Sequence, residues 1–308
     1  MTDEIAVCVC TYRRPAQLGR LLAALGRMHW PPGVMFIIVD NAGDSQTEKV
    51  VREFERGCRA PVTYLVEPDP GLSPARNTAL RAARTAGARA MAMLDDDEWP
   101  SVSWLVELIK VQAEAGAAIV GGPVIPVFET ARALPEQYRS LWSVQQGRLG
   151  GAVHVYCTCN CLIDLSATAF LGEEPFPFDF RFTGGEDVVF FRRLHAAGIP
   201  MAWSEKAVVY EGIPADRATI AWLRRRWYRL GNIGVRCEQA APVRGDIRPL
   251  VKTILLAGRL LIFPLVNRRA MQIPLLWLLE ADRIRGRLAS HAGVVAMQYG
   301  PETVRRLQ

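Results

Sequence analysis

The chain of 308 residues has no uncharged apolar run approaching the roughly 20 residues that a helix needs to cross a bilayer. It shows no internal repeat and no low-complexity segment, which excludes solenoid arrays and disordered tails. No recognised nucleic-acid motif occurs, and the bases come mixed with aliphatic residues, so nucleic acid is not an expected partner. The opening stretch, MTDEIAVCVCTYRRP, lacks the marks of a secretory signal. Its leading charges are acidic, and the apolar run Ile5 to Cys10 is too short. Seven cysteines are an odd number without an export signal, and reduced thiols in a cytoplasmic protein are the simplest expectation. His195 has no paired His or Cys at ligand spacing and reads as structural.

What is present is the composition of an ordinary globular protein, 50% hydrophobic and 22% charged. The length suits one large α/β domain with an appendage, or two small domains. The net charge of +6 is unevenly spread. From Arg217 onward, 17 Lys and Arg face 5 Asp and Glu, a balance of +12 that leaves −6 on the first 216 residues. A mildly acidic body with a basic end points to an anionic partner at that end.

Short apolar runs at 5–10 (IAVCVC), 34–39 (VMFIIV), 62–66 (VTYLV) and 89–94 (RAMAML) predict buried strands set between helical patterns. Leu18, Leu21, Leu22 and Leu25 keep helical spacing after Pro15, which suits a first turn, and further helices fit 45–56, 74–86 and 101–115. This alternation predicts a parallel sheet covered on both faces, with ligands gathering at the carboxyl ends of its strands. Beyond 118 the pattern loosens. Segments 119–128 and 153–164 read as strands around a variable connection at 129–150, 208–212 as a strand, and 218–239 as a long basic helix. The cysteines of YCTCNC (156–161) would then lie in a row on one strand face, an arrangement for core packing and not for a metal.

The predicted strand ends carry Thr11-Tyr12-Arg13, then Asp40-Asn41, then Asp95-Asp96-Asp97-Glu98. Adjacent carboxylates resist ionising together, so the acidic run is either a solvated turn or a place to which positive charge is brought. Three strands delivering polar groups to one rim favour a site. Mg²⁺ and Mn²⁺ take oxygen ligands, commonly one or two carboxylates plus substrate phosphate, and such an ion would bridge to a diphosphate. Asp40 would then reach a nucleotide base or ribose. Arg76, in GLSPARNTAL, matches phosphate geometry, although its type alone also allows a surface-helix arginine. Glu186 and Asp187 follow two glycines and open an amphipathic helix, where they also complement the helix dipole.

Together, CTYRRPAQLGRLLAAL (10–25), IIVDN (37–41), GLSPARNTAL (71–80), LDDDEWP (94–100) and GGEDVVFFRRLHAAG (184–198) resemble, in order, the motifs of the inverting family 2 glycosyltransferases. The resemblance covers residues 4–235 and is greatest toward the bacterial exopolysaccharide branch of the succinoglycan-assembly kind, where VVYEGIPADRATIAWLRRRWYRLGN (208–232) also has a counterpart. It implies the GT-A fold, an α/β Rossmann-like domain with a mixed central sheet at 1–240, followed by a basic amphipathic helical extension at 241–308. The nucleotide-sugar half would occupy 1–117 and the acceptor half 118–240. The implied reaction moves one sugar, with inversion, from a nucleotide-diphosphate donor to a lipid-linked or polysaccharide acceptor. The implied cofactors are Mn²⁺ or Mg²⁺ and a nucleotide-sugar, UDP-sugar by family habit.

Residue by residue, the resemblance implies that Asp40 binds the base and Asp95 the ribose side. Asp97 would be the principal metal ligand, with Asp96 between them in the Asp-x-Asp pattern. Thr11, Tyr12 and Arg13 would line the donor cleft, and Arg76 would face the diphosphate. Asp187 would be the general base for the acceptor hydroxyl, with Glu186 beside it. Glu211 stands where many relatives have a histidine near the metal, and it joins Asp95 and Asp97 as a candidate ligand. Leu223 stands at the Gln position of the Gln-x-x-Arg-Trp motif of processive relatives, which points to transfer of a single sugar.

Two other readings compete. A sugar-phosphate nucleotidyltransferase wants a glycine-rich, basic loop after the first strand, where this chain has TYRRPAQ. An inactive membrane scaffold need not keep Asp40, Asp97 and Asp187 together. In the basic end, residues 248–279 alternate apolar blocks with Arg and Lys. They predict amphipathic helices lying on an anionic surface, peripheral on the inner face of the plasma membrane. A helical hairpin packed on the domain, or a homodimer interface, is the alternative.

Overall fold

The computed structural model of the protein describes residues 4–130, 136–266 and 274–298. Four strands, β1 (Ile5–Thr11), β2 (Val34–Asp40), β3 (Val62–Val66) and β4 (Ala90–Asp95), run parallel in the spatial order β4-β1-β2-β3. Between them come α1 (Pro15–Gly26), α2 (Ser45–Gly57) and α3 (Leu72–Thr85). Alternate side chains of a strand point to opposite faces, and this chain fills both. Ile5, Val7 and Val9 pack with Leu18, Leu21, Leu22 and Leu25 of α1, whereas Ala6 and Cys8 pack with Ala79, Leu80 and Ala83 of α3. The four α1 leucines are at most 2% exposed, and cutting any one to Ala should cost about 2–5 kcal/mol.

The second part of the sheet is not parallel. After β5 (Glu98–Pro100) and α4 (Trp104–Ala115) come β6 (Ile119–Gly121), β7 (Val124–Phe128), β8 (Gly147–Leu149), β9 (Ala152–His154) and β10 (Asn160–Asp164). Then follow α5 (Glu186–Ala196), β11 (Met201–Trp203) and β12 (Val209–Ile213). The seven-stranded sheet has the order β11-β6-β10-β4-β1-β2-β3, with β10 antiparallel to both β4 and β6. Strands β5, β12 and β7 form a small second sheet, and β8 with β9 a hairpin.

Two expected strands are broken. The run 119–128 divides at Gly122-Pro123, where proline has no N–H for a ladder and the Asn160 amide instead bonds the Pro123 carbonyl at 3.0 Å. The run 153–164 leaves the ladder at 155–159 and bends at Thr158. The cysteines therefore do not form a row. Cys161 is in the core, while Cys157 and Cys159 sit half-buried at the bend.

The chain gathers into two compact units, the first holding the three sheets with α1–α5 and ending at Gly212. The second holds α6 (Ile220–Ala240), α7 (Pro249–Val266) and α8 (Pro274–His291). Helices α6 and α8 approach closely through two glycines. A Cβ on Gly231 would collide with the Arg283 carbonyl, and one on Gly286 with the Tyr228 carbonyl. Arg224 of α6 bonds Asp282 of α8 at 2.7 Å. Arg287, 2% exposed, bonds Glu238 of α6 at 2.8 Å and Thr253 of α7 at 2.8 Å. Among the described residues no helix is long and apolar enough to cross a membrane.

Candidate active site

The strand register brings the expected groups to one level. Thr11 lies opposite Asp40, and Cys10 opposite Asp95. Because β10 runs the other way, its first residue, Asn160, lies opposite Leu94 at the same rim. Crevices at the carboxyl ends of such strands are where this kind of sheet binds ligands.

The acidic run is accommodated by giving each carboxylate a different surrounding. Asp96, 5% exposed, accepts from the Thr11 hydroxyl at 2.8 Å and from Arg14 at 3.0 Å. Asp97 takes the same Arg14 nitrogen at 3.2 Å. Glu98, 2% exposed, turns inward and accepts the Asp95 N–H at 2.8 Å. Only Asp95 keeps its side chain 45% exposed. Burial pushes Asp96 up to about 6, with Arg14 and Thr11 opposing, and lifts Glu98 well above the carboxylate range. Asp95 is raised too, first by burial and then by the charges of Asp97 and Asp187, with Arg76 opposing. Part of the positive charge that the acidic run demands is thus built into the protein. Arg14 was missed from the sequence, where nothing in its spacing points to Asp96 and Asp97.

Arg76 is set by the start of α3. Gly71 has φ 127°, and a Cβ there would stand 2.7 Å from the Arg181 Cβ and 2.8 Å from its carbonyl oxygen, so only glycine fits. The helix then delivers Arg76 inward at 7% exposure. One guanidinium nitrogen bonds the Glu186 carboxylate, and the other faces Asp95 at 3.5 Å. Next to it, Asn77 clamps the Phe176 backbone, donating to its carbonyl at 2.9 Å and accepting its N–H at 3.0 Å. That fixes part of the chain leading into α5. Glu186 is fully buried, its carboxyl pushed up to about 7 by burial against the pull of Arg76. Its Oε2 is buried without a hydrogen-bond partner among the described residues. Asp187, half-buried in the same turn, acts electrostatically on both Asp95 and Arg76.

Asp40 is fully buried, with both oxygens engaged. It accepts from the Ala42 N–H at 2.9 Å, the Asp44 N–H at 2.8 Å and the Tyr64 hydroxyl at 2.8 Å. Asn41 donates to the Glu67 and Asp69 carbonyls at 2.9 and 2.6 Å and accepts the Gly71 N–H at 2.7 Å. The pair holds the loop after β2 against the entry to α3. Tyr12 is half-buried and Arg13 exposed, the Arg13 guanidinium lying 5.3 Å from the Tyr12 ring. Arg13 has φ 53°, which makes it the one non-glycine in the left-handed region among the described residues. Glu211 pairs across the β5–β12 ladder with Glu98. Among the described residues no group of three or more His, Cys, Asp or Glu side chains gathers as a complete metal cage. Asp95 and Asp97 still offer the oxygen donors that a hard divalent ion takes when substrate phosphate completes its shell.

Comparison with known proteins agrees with this arrangement. The chain matches Glycosyl transferase family 2 over residues 6–171. It is 33% identical over 235 residues to the succinoglycan biosynthesis protein ExoM of Rhizobium meliloti (strain 1021), a span of 75% of this chain and 74% of that one. It is 29% identical over 237 residues to validoxylamine A glucosyltransferase of Streptomyces hygroscopicus subsp. limoneus, covering 66% of this chain and 50% of the relative. Among solved structures, the mannosyltransferase PcManGT of Pyrobaculum calidifontis, in complex with GDP-Man and Mn²⁺, has a TM-score of 0.65 at 18% identity, covering 94% of this chain and 88% of that one. TarS of S. aureus has a TM-score of 0.51 at 15% identity, covering 96% of this chain and 59% of its own. The structural likenesses establish the GT-A fold. The family match across more than half of the chain, joined to 33% identity along most of a relative, makes this chain a member of glycosyl transferase family 2, and the enzyme a glycosyltransferase.

Proposed function

We propose that the enzyme transfers one sugar, with inversion, from a nucleotide-diphosphate sugar to a lipid-linked or polysaccharide acceptor in exopolysaccharide or cell-surface synthesis. The observation that carries this reading is the link from Asp95 through Arg76 to the turn bearing Glu186 and Asp187. That link supports a donor-binding role for the turn after β4 and a base role for Asp187. The part of ExoM in succinoglycan biosynthesis supports the polysaccharide context. Fold neighbours in complex with GDP-Man and Mn²⁺, or with UDP, support a nucleotide-sugar donor, which we take to be UDP-linked, and a divalent ion.

Asp97 and Asp95 would hold Mn²⁺ or Mg²⁺ with the donor diphosphate, and Glu211 is a third candidate ligand. When bound, that ion supplies stabilisation of the negative charge on the departing diphosphate. Arg13 and Arg76 add positive charge at the same rim. Thr11, Tyr12 and Asp96 frame the nucleotide, and Asp40 acts by shaping the loop that meets the base. Asp187 takes the proton of the acceptor hydroxyl as its oxygen attacks the anomeric carbon opposite the leaving group. Glu186 is a positioning residue that anchors the first turn of α5 through Arg76. Leu223, in place of glutamine, fits single transfer.

The exposed face of α7 supports a peripheral seat on the inner face of the plasma membrane. Leu250, Val251, Ile254, Leu255 and Leu261 are 44–76% exposed and fall on one side of that helix, with exposed Arg248 and Arg259 nearby. Apolar insertion and attraction to anionic lipid would act together. A homodimer through these helices is the competing use of the same surface.

A screen of nucleotide-sugars with Mn²⁺ or Mg²⁺ and a lipid-linked acceptor extract tests the reading, following diphosphate release and the anomer of the product. Donor turnover with inversion is expected. Retention of configuration, or consumption only of a sugar phosphate with a nucleoside triphosphate, would overturn it. The second outcome would reinstate the nucleotidyltransferase, and no turnover at all the inactive scaffold.

A further inference from the structure

The bend between β9 and β10 creates a feature that sugar transfer does not use. At Thr158 the chain turns so that Cys157 and Cys159 face each other with their Sγ atoms 3.1 Å apart. Both are free and only partly buried. Cys161 points into the core and takes no part. The pair lies at the rim of the site, because Asn160 next in line stands opposite Leu94, the residue before Asp95. The bond with Cys157 and burial hold Cys159 well above the ordinary thiol range, with the charges of Asp95 and Glu211 adding to them. At Cys157 the opposing bond with Cys159 is outweighed by burial and the charges of Asp187 and Glu98, which raise it.

We propose that Cys157 and Cys159 are a reversible modification site, closing to a disulfide that switches off sugar transfer. The thiolate of one cysteine attacks a small disulfide of the oxidised-glutathione class and releases one small thiol. The neighbouring cysteine then attacks the mixed disulfide, releases the second small thiol and leaves the bond between the two protein sulfurs. Two electrons pass from the protein to the small disulfide, and the two protons leave with the two thiols. A sulfur–sulfur bond is about 2 Å long, so the bend must tighten. Asn160 cannot follow, since its side chain is bonded to Trp104, Pro123 and Ala207 at 2.7, 3.0 and 2.7 Å. The displacement therefore falls on Cys157 and Thr158, on the side where Asp187 is felt. A ring closed over one intervening residue is strained, and strained disulfides are readily reduced again.

The test uses the full-length reduced protein exposed to excess oxidised glutathione, followed by intact mass, peptide mapping and donor turnover. The turnover measurement rests on the glycosyltransferase reading above, whereas the mapping does not. We expect the loss of two hydrogens, located to the peptide containing Cys157 and Cys159. Turnover should fall on the order of a hundredfold, as a displacement of about 1 Å near a reacting centre can cause, and dithiothreitol should restore it. The Cys157→Ser, Cys159→Ser double variant should work like the reduced parent and ignore the oxidant. A folded parent that never forms this link overturns the site, and a link that leaves turnover unchanged overturns the switch. If the reduced parent turns over no nucleotide-sugar, the proposed function fails, and the mapping alone decides the disulfide site.

Discussion

Arg76 and Glu186, 110 positions apart, meet as a buried ion pair with the guanidinium 7% and the carboxylate 0% exposed. The other end of the guanidinium faces Asp95. One side chain therefore sets the helix that carries Asp187 against the turn that ends β4. Removing a single partner strands the other charge away from water, which is the costly way to lose a buried pair.

Above about pH 7, where Glu186 is ionised, Arg76→Met should accordingly destabilise the protein by about 3–5 kcal/mol, since Glu186 would keep its burial and lose its counter-charge. Adding Glu186→Leu should return much of that loss. Urea unfolding of the parent, the single and the double variant decides the matter. Equal losses in both variants would mean that packing, and not the pair, carries the stability.

Glu186 also makes stability depend on pH. Burial raises it from an ordinary 4.5 to about 7, with Arg76 opposing. Between those values the folded chain keeps a proton that the unfolded chain has released. Its contribution is complete below the unfolded value and is lost as pH rises to the folded one, at no more than about 1.4 kcal/mol per pH unit. Glu186→Gln has no proton to release and should flatten this part of the profile. Unfolding midpoints at about pH 5 and about pH 7 measure the difference, and identical slopes in parent and variant would refute it.

Donor binding and catalysis should separate. Asp97→Ala is expected to lose metal-dependent binding of the nucleoside diphosphate. Asp187→Asn should retain that binding and lose transfer by on the order of a hundredfold or more. Calorimetric titration with UDP and Mn²⁺, beside the transfer assay, resolves the two effects. Parent-like transfer by Asp187→Asn would remove it from the role of base.

The α6–α8 contact predicts a loss confined to the second unit. Gly286→Ala places a methyl group against the Tyr228 carbonyl, and the two helices can meet only by moving apart. A cost of about 1–3 kcal/mol is expected, as for other overpacked sites. Limited proteolysis should reveal it as faster cleavage beyond Gly212. Unchanged cleavage would show that the helices shift without penalty.

The surface of α7 gives the fifth expectation. Ile254 and Leu255 are 60% and 57% exposed, so Ile254→Asp with Leu255→Asp should leave the fold intact. Flotation with anionic vesicles at low salt should fall sharply relative to the parent. If the parent does not float, the membrane reading is lost, and the oligomeric state of the two proteins tests dimerisation instead.

The first four strands and α1 were legible because unbroken apolar runs such as IAVCVC and the spacing of Leu18, Leu21, Leu22 and Leu25 are local signals of burial. The acidic turn and the Glu186-Asp187 pair were legible as chemistry, since clustered charge beside a strand or helix end stands out in one dimension. Arg14 was not, because its partners are 82 and 83 positions away and only the fold introduces them. The break at 155–159 was hidden for the same reason. Tyr, Cys and Thr suit a strand, and the bend is stabilised by bonds from Asn160 to backbone carbonyls 37 and 47 positions away. Nor could the sequence show that Asp40 engages both oxygens with its own loop and Tyr64.

The antiparallel seat of β10 between β4 and β6 has a consequence for biosynthesis. A ribosome delivers β6 before either of its sheet neighbours, β10 and β11, exists. Until residue 164 emerges, β4 has an unpaired edge and β6 has nowhere to bond, a condition that invites wrong pairing with another nascent chain. The β4 edge of the first four strands therefore stays uncovered until β10 is made. A fragment ending near residue 117 should need a chaperone or a complementing second piece, however complete its own βα pattern looks.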